Sequence, residues 1–164
     1  MDLPEEMRIP DEGIENLKTP EVIRKYIDQG KSLQEIIGYS DAVMDELYQS
    51  ACTVFRTGHF QEAQDGFLFL TTLNPYVYAY WLGLAMSYQH LEEYEQAILA
   101  YECAIAIDQE QPVPYFFCGV CHQLLGEKSK ALIHLEKGKM KCKAEHKDIQ
   151  TKIDQTLHRL KGTS

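Results

Sequence analysis

No run of eighteen uninterrupted apolar residues occurs in the 164-residue chain. A helix that crosses hydrocarbon needs about 20, so no transmembrane span is predicted. Met1 to Asp11 carries Asp2, Glu5 and Glu6 with no apolar run behind them, and a secretory signal peptide is not expected. Basic residues are in deficit, sixteen against twenty-five acidic ones, for a formal charge of −9. The resulting field repels phosphate, which disfavours nucleic acid and anionic membrane surfaces and suits a basic or apolar partner. Cysteine is odd in number (Cys52, Cys103, Cys118, Cys121, Cys142) and sits mostly in helical patterns. That favours a reduced, cytosolic compartment over a disulfide framework. A glycine-rich phosphate loop is missing. Outside the packing pattern no nucleophile, base and orienting acid can be assembled: His59 falls in a turn, His90 ends a helix, and His134, His146 and His158 lie among charged residues. An enzyme is not expected.

What is present is a repeat. From Met44 to Gly138 one pattern of large and small residues recurs three times with a step of 34. Leu47, Trp81 and Tyr115 share a register, as do Ala51, Ala85 and Gly119. Val54, Tyr88 and His122 share another, followed by Ala63, Ala97 and Ala131, and by Phe67, Tyr101 and Leu135. This period, with W-x2-L-G-x2-Y leading to A-x3-F and P, is the tetratricopeptide signature. The fold class is therefore all-α, a tetratricopeptide-repeat solenoid of three helix pairs with N-terminal helices and a C-terminal capping helix. The pairs are predicted over 41–56 with 60–73, 76–90 with 94–107, and 113–125 with 128–142. The small residue at the eighth position lets the neighbouring helix approach, and the aromatic at the eleventh fills the adjacent space.

Three segments follow from the register: 1–40, 41–143 and 144–164. Within the first, Met1 to Lys18 is acidic and broken by Pro4, Pro10 and Gly13, and reads as a flexible arm. Thr19 can cap a short helix that has Pro20 at its first position. Ser32 to Glu35 is a capping box for another. Their apolar residues (Val22, Ile23, Tyr26, Ile27, then Leu33, Ile36, Ile37) either cover the first repeat or pair with a second chain. In the last segment Ile149, Ile153, Leu157 and Leu160 keep helical spacing between charged residues, as a solenoid cap does; a tail follows.

The first helix of each pair lines the concave face of such a solenoid. By the repeat count the first copy offers Tyr48, Cys52 and Phe55 there, beside Asp45; the second offers Leu82, Met86 and Gln89, beside Ala79. The third offers Phe116, Val120 and Gln123, beside Val113. This apolar and aromatic surface suits an extended apolar peptide. Lys, Arg and Asn, which would grip a C-terminal carboxylate, are missing from those positions and only Arg56 is near. The same residues could also be covered by the N-terminal helices or by a second copy.

Cys118-Gly119-Val120-Cys121-His122 matches the c-type haem attachment pattern. The register explains it otherwise, because Gly119 and His122 hold the small and aromatic packing positions and Cys118 stands where Leu84 stands one copy earlier. A zinc set from Cys118, Cys121 and His122 lacks a second C-x2-C or H-x3-H. Neither a metal nor a cofactor is expected.

The runs Leu47-Tyr48, Phe55, Gly58-His59-Phe60-Gln61-Glu62-Ala63, Leu82-Gly83-Leu84-Ala85 and Tyr94-Glu95-Gln96-Ala97-Ile98 resemble the translocator chaperones of bacterial type III secretion. The likeness continues through Asp108-Gln109-Glu110-Gln111-Pro112 and Gly126-Glu127, covering Ser32 to Leu135. It implies a chaperone in the bacterial cytoplasm that holds hydrophobic translocator proteins before export. It also implies that a short extended segment near the client's N-terminus lies in the concave groove, and that the N-terminal helices can dimerise. Tyr48, Phe55, Leu82, Met86 and Phe116 then match peptide-side-chain pockets, while Phe60 fits helix packing better. A longer acidic arm before Thr19 and a cysteine-rich third repeat depart from the family pattern. The alternative is a generic tetratricopeptide scaffold that docks another protein.

Overall fold

The computed structural model describes residues 8–162; residues 1–7 of the arm expected over 1–18, and residues 163–164 of the tail, lie outside the described residues. These hold ten α-helices and no strand: α1 (Asp11–Lys18), α2 (Pro20–Asp28), α3 (Leu33–Ile37), α4 (Asp41–Arg56), α5 (Phe60–Leu73), α6 (Tyr78–His90), α7 (Tyr94–Ile107), α8 (Pro112–Leu124), α9 (Lys128–Lys141) and α10 (Lys147–Gly162). One 3₁₀ turn, Ala144–His146, precedes α10. The chain divides into two compact units, Met1–Tyr80 and Trp81–Ser164.

In the first unit α4 and α5 pair across Ala51, Ala63, Phe67 and Leu70, all buried. Gly66 faces Ala51 so closely that a Cβ on it would lie 3.2 Å from the Ala51 Cβ. The capping box of α3 forms as expected: the Ser32 Oγ accepts from the Glu35 amide, and the Glu35 carboxylate accepts from the Ser32 amide at 2.9 Å. Behind it Gln34 is buried and fully used. Its Nε2 donates to Asp41 Oδ1 at 2.9 Å and to the Tyr39 carbonyl, and its Oε1 accepts from Asn74 Nδ2 at 2.8 Å. An unpaired buried amide is costly, so this knot fixes α3 against the start of α4 and the end of α5.

Three sequence expectations change here. From Asp11 onward the arm is a helix, α1, packed on α3. Asn16 Nδ2 donates to the Ile36 carbonyl at 2.9 Å, and Gly13 lies so close that a Cβ on it would overlap the Ile37 carbonyl oxygen. Thr19 precedes α2 without capping it through its side chain; its hydroxyl donates instead to the Glu15 carbonyl at 3.4 Å. Finally, α6 begins at Tyr78 and not at Tyr76, because Asn74 Oδ1 accepts from the Tyr76 amide at 3.1 Å. That Asx turn beside Pro75 holds the chain out of the helix.

In the second unit α8 starts at Pro112, the first helical position, where a missing amide costs nothing. Gly119 brings α8 against α9: a Cβ there would be 2.8 Å from Leu135 Cγ and 3.2 Å from the Ala131 carbonyl. α10 then covers the pair with Ile153, Leu157 and Leu160 against Phe116, Ala131 and Leu135. Leu135 and Ile153 have no exposed surface; each such burial is worth about 1.5–3 kcal/mol.

The turns between paired helices repeat at 34-residue spacing. Gly58, Glu92 and Gly126 take left-handed φ values of 84°, 62° and 76°. The next amide in each copy (His59, Glu93, Glu127) donates back to the carbonyl of Val54, Tyr88 or His122. This is the Schellman closure of a helix end, and Glu92 adopts without glycine what its two counterparts adopt with it.

Candidate peptide-binding site

On α4, Tyr48, Cys52 and Phe55 are half-buried and fall on one stripe. The Tyr48 ring meets Phe67 edge-on at 6.1 Å and Tyr80 at 5.5 Å. Phe55 meets Phe60 at 5.2 Å, also edge-on. Burial pushes the Tyr48 phenol up to about 12, assisted by its hydrogen bond to Cys52 and by the charges of Cys52 and Tyr80. Tyr80 is raised as well, first by burial and then by Asp45 and Asp41. The α4 stripe is therefore a neutral aromatic surface edged by two carboxylates.

In the second unit Leu82 and Met86 are half-buried on α6. Gln89, one turn further, has its carbonyl engaged by the hydroxyl of the wholly buried Tyr101 at 2.6 Å. On α8, Val120 and Gln123 are half-buried. Val120 packs on the α10 cluster, and Gln123 Oε1 accepts from an Arg159 nitrogen at 3.3 Å. Phe116 departs from the expectation. It is 8% exposed, sealed by α10 and turned edge-on to Phe117 at 5.0 Å, so it backs the surface and offers no ring to a ligand. The register alone could not show this, because the third copy has a capping helix where the earlier copies have another repeat.

The proposed dimerisation residues also separate. Ile36 and Ile37 are buried inside the first unit, at 2% and 3% exposure, and are corrected from a pairing surface to core. Val22, Ile23, Tyr26 and Leu33 are half-buried and Ile27 is exposed. α2 is strongly amphipathic yet contains no buried residue.

Cys118 and Cys121 have no exposed surface, and burial pushes both thiols up to about 12. Sealed at packing positions, they leave no face for a porphyrin. His134, read as a surface residue, is the one the sequence analysis missed: it reaches across from α9 to His122, the two rings tilted by 32° with centroids 4.9 Å apart. The available signal was its register, since Gly66 and Ala100 stand at the equivalent positions. All five cysteines are free thiols, and among the described residues no helix is long and apolar enough to cross a membrane.

No family model matches the chain. Among curated proteins it is similar to the chaperone protein SicA of Salmonella typhimurium, 29% identical over 70% of this chain and 69% of SicA. Among solved structures it is similar to the Yersinia enterocolitica type III secretion chaperone SycD in complex with a peptide of the translocator YopD. The TM-score is 0.74 at 25% identity, over 76% of this chain and 96% of that one. PcrH in complex with the chaperone binding region of PopD gives 0.75 at 25% identity, over 77% and 96%. SycD has also been solved as an alternative dimer, with a TM-score of 0.73 at 26% identity over 76% and 96%. SicA and SycD are both chaperones.

Proposed function

We propose, from the likeness to the chaperones SicA and SycD, that the chain is a type III secretion translocator chaperone that binds the hydrophobic translocator proteins of its own secretion system in the bacterial cytoplasm. It holds an extended apolar segment near the client's N-terminus until export. Contacts come from Tyr48, Cys52 and Phe55 in the first unit, and from Leu82, Met86 and Val120 in the second. The observation that carries this reading is the row of apolar side chains left half-exposed on the first helix of each pair, where a merely structural repeat would place polar residues. Met86 adds a thioether that adapts to different side chains. A client with membrane-inserting segments would otherwise aggregate or insert too early. Because release must follow, the contact is apolar and moderate in strength, and nearly independent of salt. Gln89 and Gln123 support the surface through Tyr101 and Arg159.

Segment 1–40 is proposed to mediate homodimerisation through Val22, Ile23, Tyr26, Ile27 and Leu33. The support is the amphipathic α2, whose apolar residues are none of them fully buried, and light scattering of the purified protein measures it. The 41–143 and 144–164 segments act as repeat array and cap.

The test of client binding is co-purification from the native cytosol with wild type beside a Leu82→Asp/Met86→Asp double variant, after circular dichroism has shown equal helicity. Wild type should retain one or two proteins with long apolar helices and the variant should lose them. Equal recovery of one partner by both forms removes the α6 face from the site and favours the generic scaffold.

A further inference from the structure

Cys118 and His122 lie one turn apart on α8, and His134 projects from α9 toward them. One ligand atom from each of the three residues lies within 4.8 Å of the others. From this geometry we propose that Cys118, His122 and His134 form a binding site for a soft divalent cation, zinc in the first instance. Thiolate and imidazole are the donor set that zinc prefers, with three protein ligands and a fourth position left for water.

The surroundings are those of a metal site. A ligating histidine commonly gives its other ring nitrogen to a carboxylate or a backbone carbonyl, which fixes the tautomer and the ring plane. His122 Nδ1 is 2.6 Å from Glu127 Oε2, and His134 Nδ1 is 3.1 Å from the Lys130 carbonyl. Each ring is thus held through Nδ1, and the lone pair left to each is on Nε2.

Ligands at 2.0–2.3 Å from a tetrahedral centre stand about 3.5 Å apart. Binding therefore requires a contraction of roughly 1 Å from the present spacing, within reach of the half-buried His134 side chain. The metal forms three bonds to the protein; the Cys118 S–H bond breaks and its proton goes to solvent, while the two neutral imidazoles lose none. The consequence is a clip between α8 and α9.

Cobalt(II) titration of the full-length protein, reduced with a phosphine, tests the site. Wild type should take up one equivalent, with a thiolate-to-cobalt charge-transfer absorption and tetrahedral d–d bands, and zinc should displace it. The charge-transfer band should vanish in Cys118→Ser. In His134→Ala, whose half-exposed position allows folding, affinity should fall at least tenfold. Glu127→Gln should keep the band and weaken binding by about tenfold. Zinc should raise the melting temperature of wild type and not that of His134→Ala. No thiolate band in wild type overturns the assignment. So does a band that survives in His134→Ala at undiminished affinity, or one that is lost in Cys52→Ser.

Discussion

Gly119→Ala adds one methyl group where α8 crosses α9. Its Cβ would meet Leu135 Cγ at 2.8 Å, Leu135 Cδ2 at 3.1 Å and the Ala131 carbonyl at 3.2 Å. A flexible side-chain tip could yield, but Cγ is the branch point of a leucine with no exposed surface and the carbonyl belongs to a helix. The cost therefore falls in the upper half of the overpacking range, about 2–3 kcal/mol. Alanine returns about 0.8–1 kcal/mol through its helix propensity, leaving a net loss of about 1–2 kcal/mol. For a chain of this length that corresponds to a fall in melting temperature of roughly 2–8 °C, with urea unfolding as the independent measure. A double-mutant cycle makes the test sharper. Leu135→Ala alone should cost about 2–5 kcal/mol through its cavity. In the double variant the new methyl group occupies part of that cavity, so the losses should fall short of additivity by about 1 kcal/mol. Gly162→Ala, with nothing within 4 Å of its Cβ, is the control and should not destabilise. Wild-type stability in Gly119→Ala, or strict additivity in the cycle, would refute the view that backbone proximity at this position sets the α8–α9 distance.

Tyr48 gives a pH dependence of definite sign. Its folded-state pKa is raised to about 12 from the usual 10, so the native protein keeps a proton that the unfolded chain has released. Stability should be fully present below pH 10 and fall as pH rises from there toward 12; chemical denaturation should show a shallower alkaline decline in Tyr48→Phe, and an equal slope would contradict it. Gly13→Ala cannot be accommodated against the Ile37 carbonyl without moving α1. Hydrogen exchange should lose protection over Asp11–Lys18 while α4 and α5 keep theirs; retained protection in α1 would show that the contact is softer than its geometry.

The repeat register was enough to set α4, α5 and α7 because large and small residues recur at packing positions on both helices of a pair. It failed where a single polar side chain decides the backbone, as Asn74 does before α6. It was silent on α1, whose docking rests on a glycine with no side chain and on one amide of Asn16, neither of which leaves a hydrophobic pattern. For the candidate surfaces, counting alone picked out Tyr48 and Cys52 on α4 and Leu82 and Met86 on α6, all half-buried. Phe116, Ile36 and Ile37 could not be assigned in that way, since apolar character is the same whether another part of the chain covers a residue or a partner does. His134 was hidden for a further reason: its neighbours Ile133, Glu136 and Lys137 are exposed, and only its register with Gly66 and Ala100 marks it as an inward residue.

A stack of repeats is open by construction, because the face that accepts the next repeat is also a face on which another molecule can sit. α10 closes it. Its inner side is taken up by Ile153, Leu157 and Leu160, and its remaining surface carries Lys147, Asp148, Lys152, His158 and Arg159, with Lys139–Asp154 at 2.6 Å and Lys161–Glu136 at 3.0 Å riveting it to α9. Such exposed pairs add little stability, yet they decide what the end looks like to a neighbour. A head-to-tail contact that repeats without closing makes fibres. A charged outer face on α10 therefore disfavours the docking of a second copy at that end of the second unit.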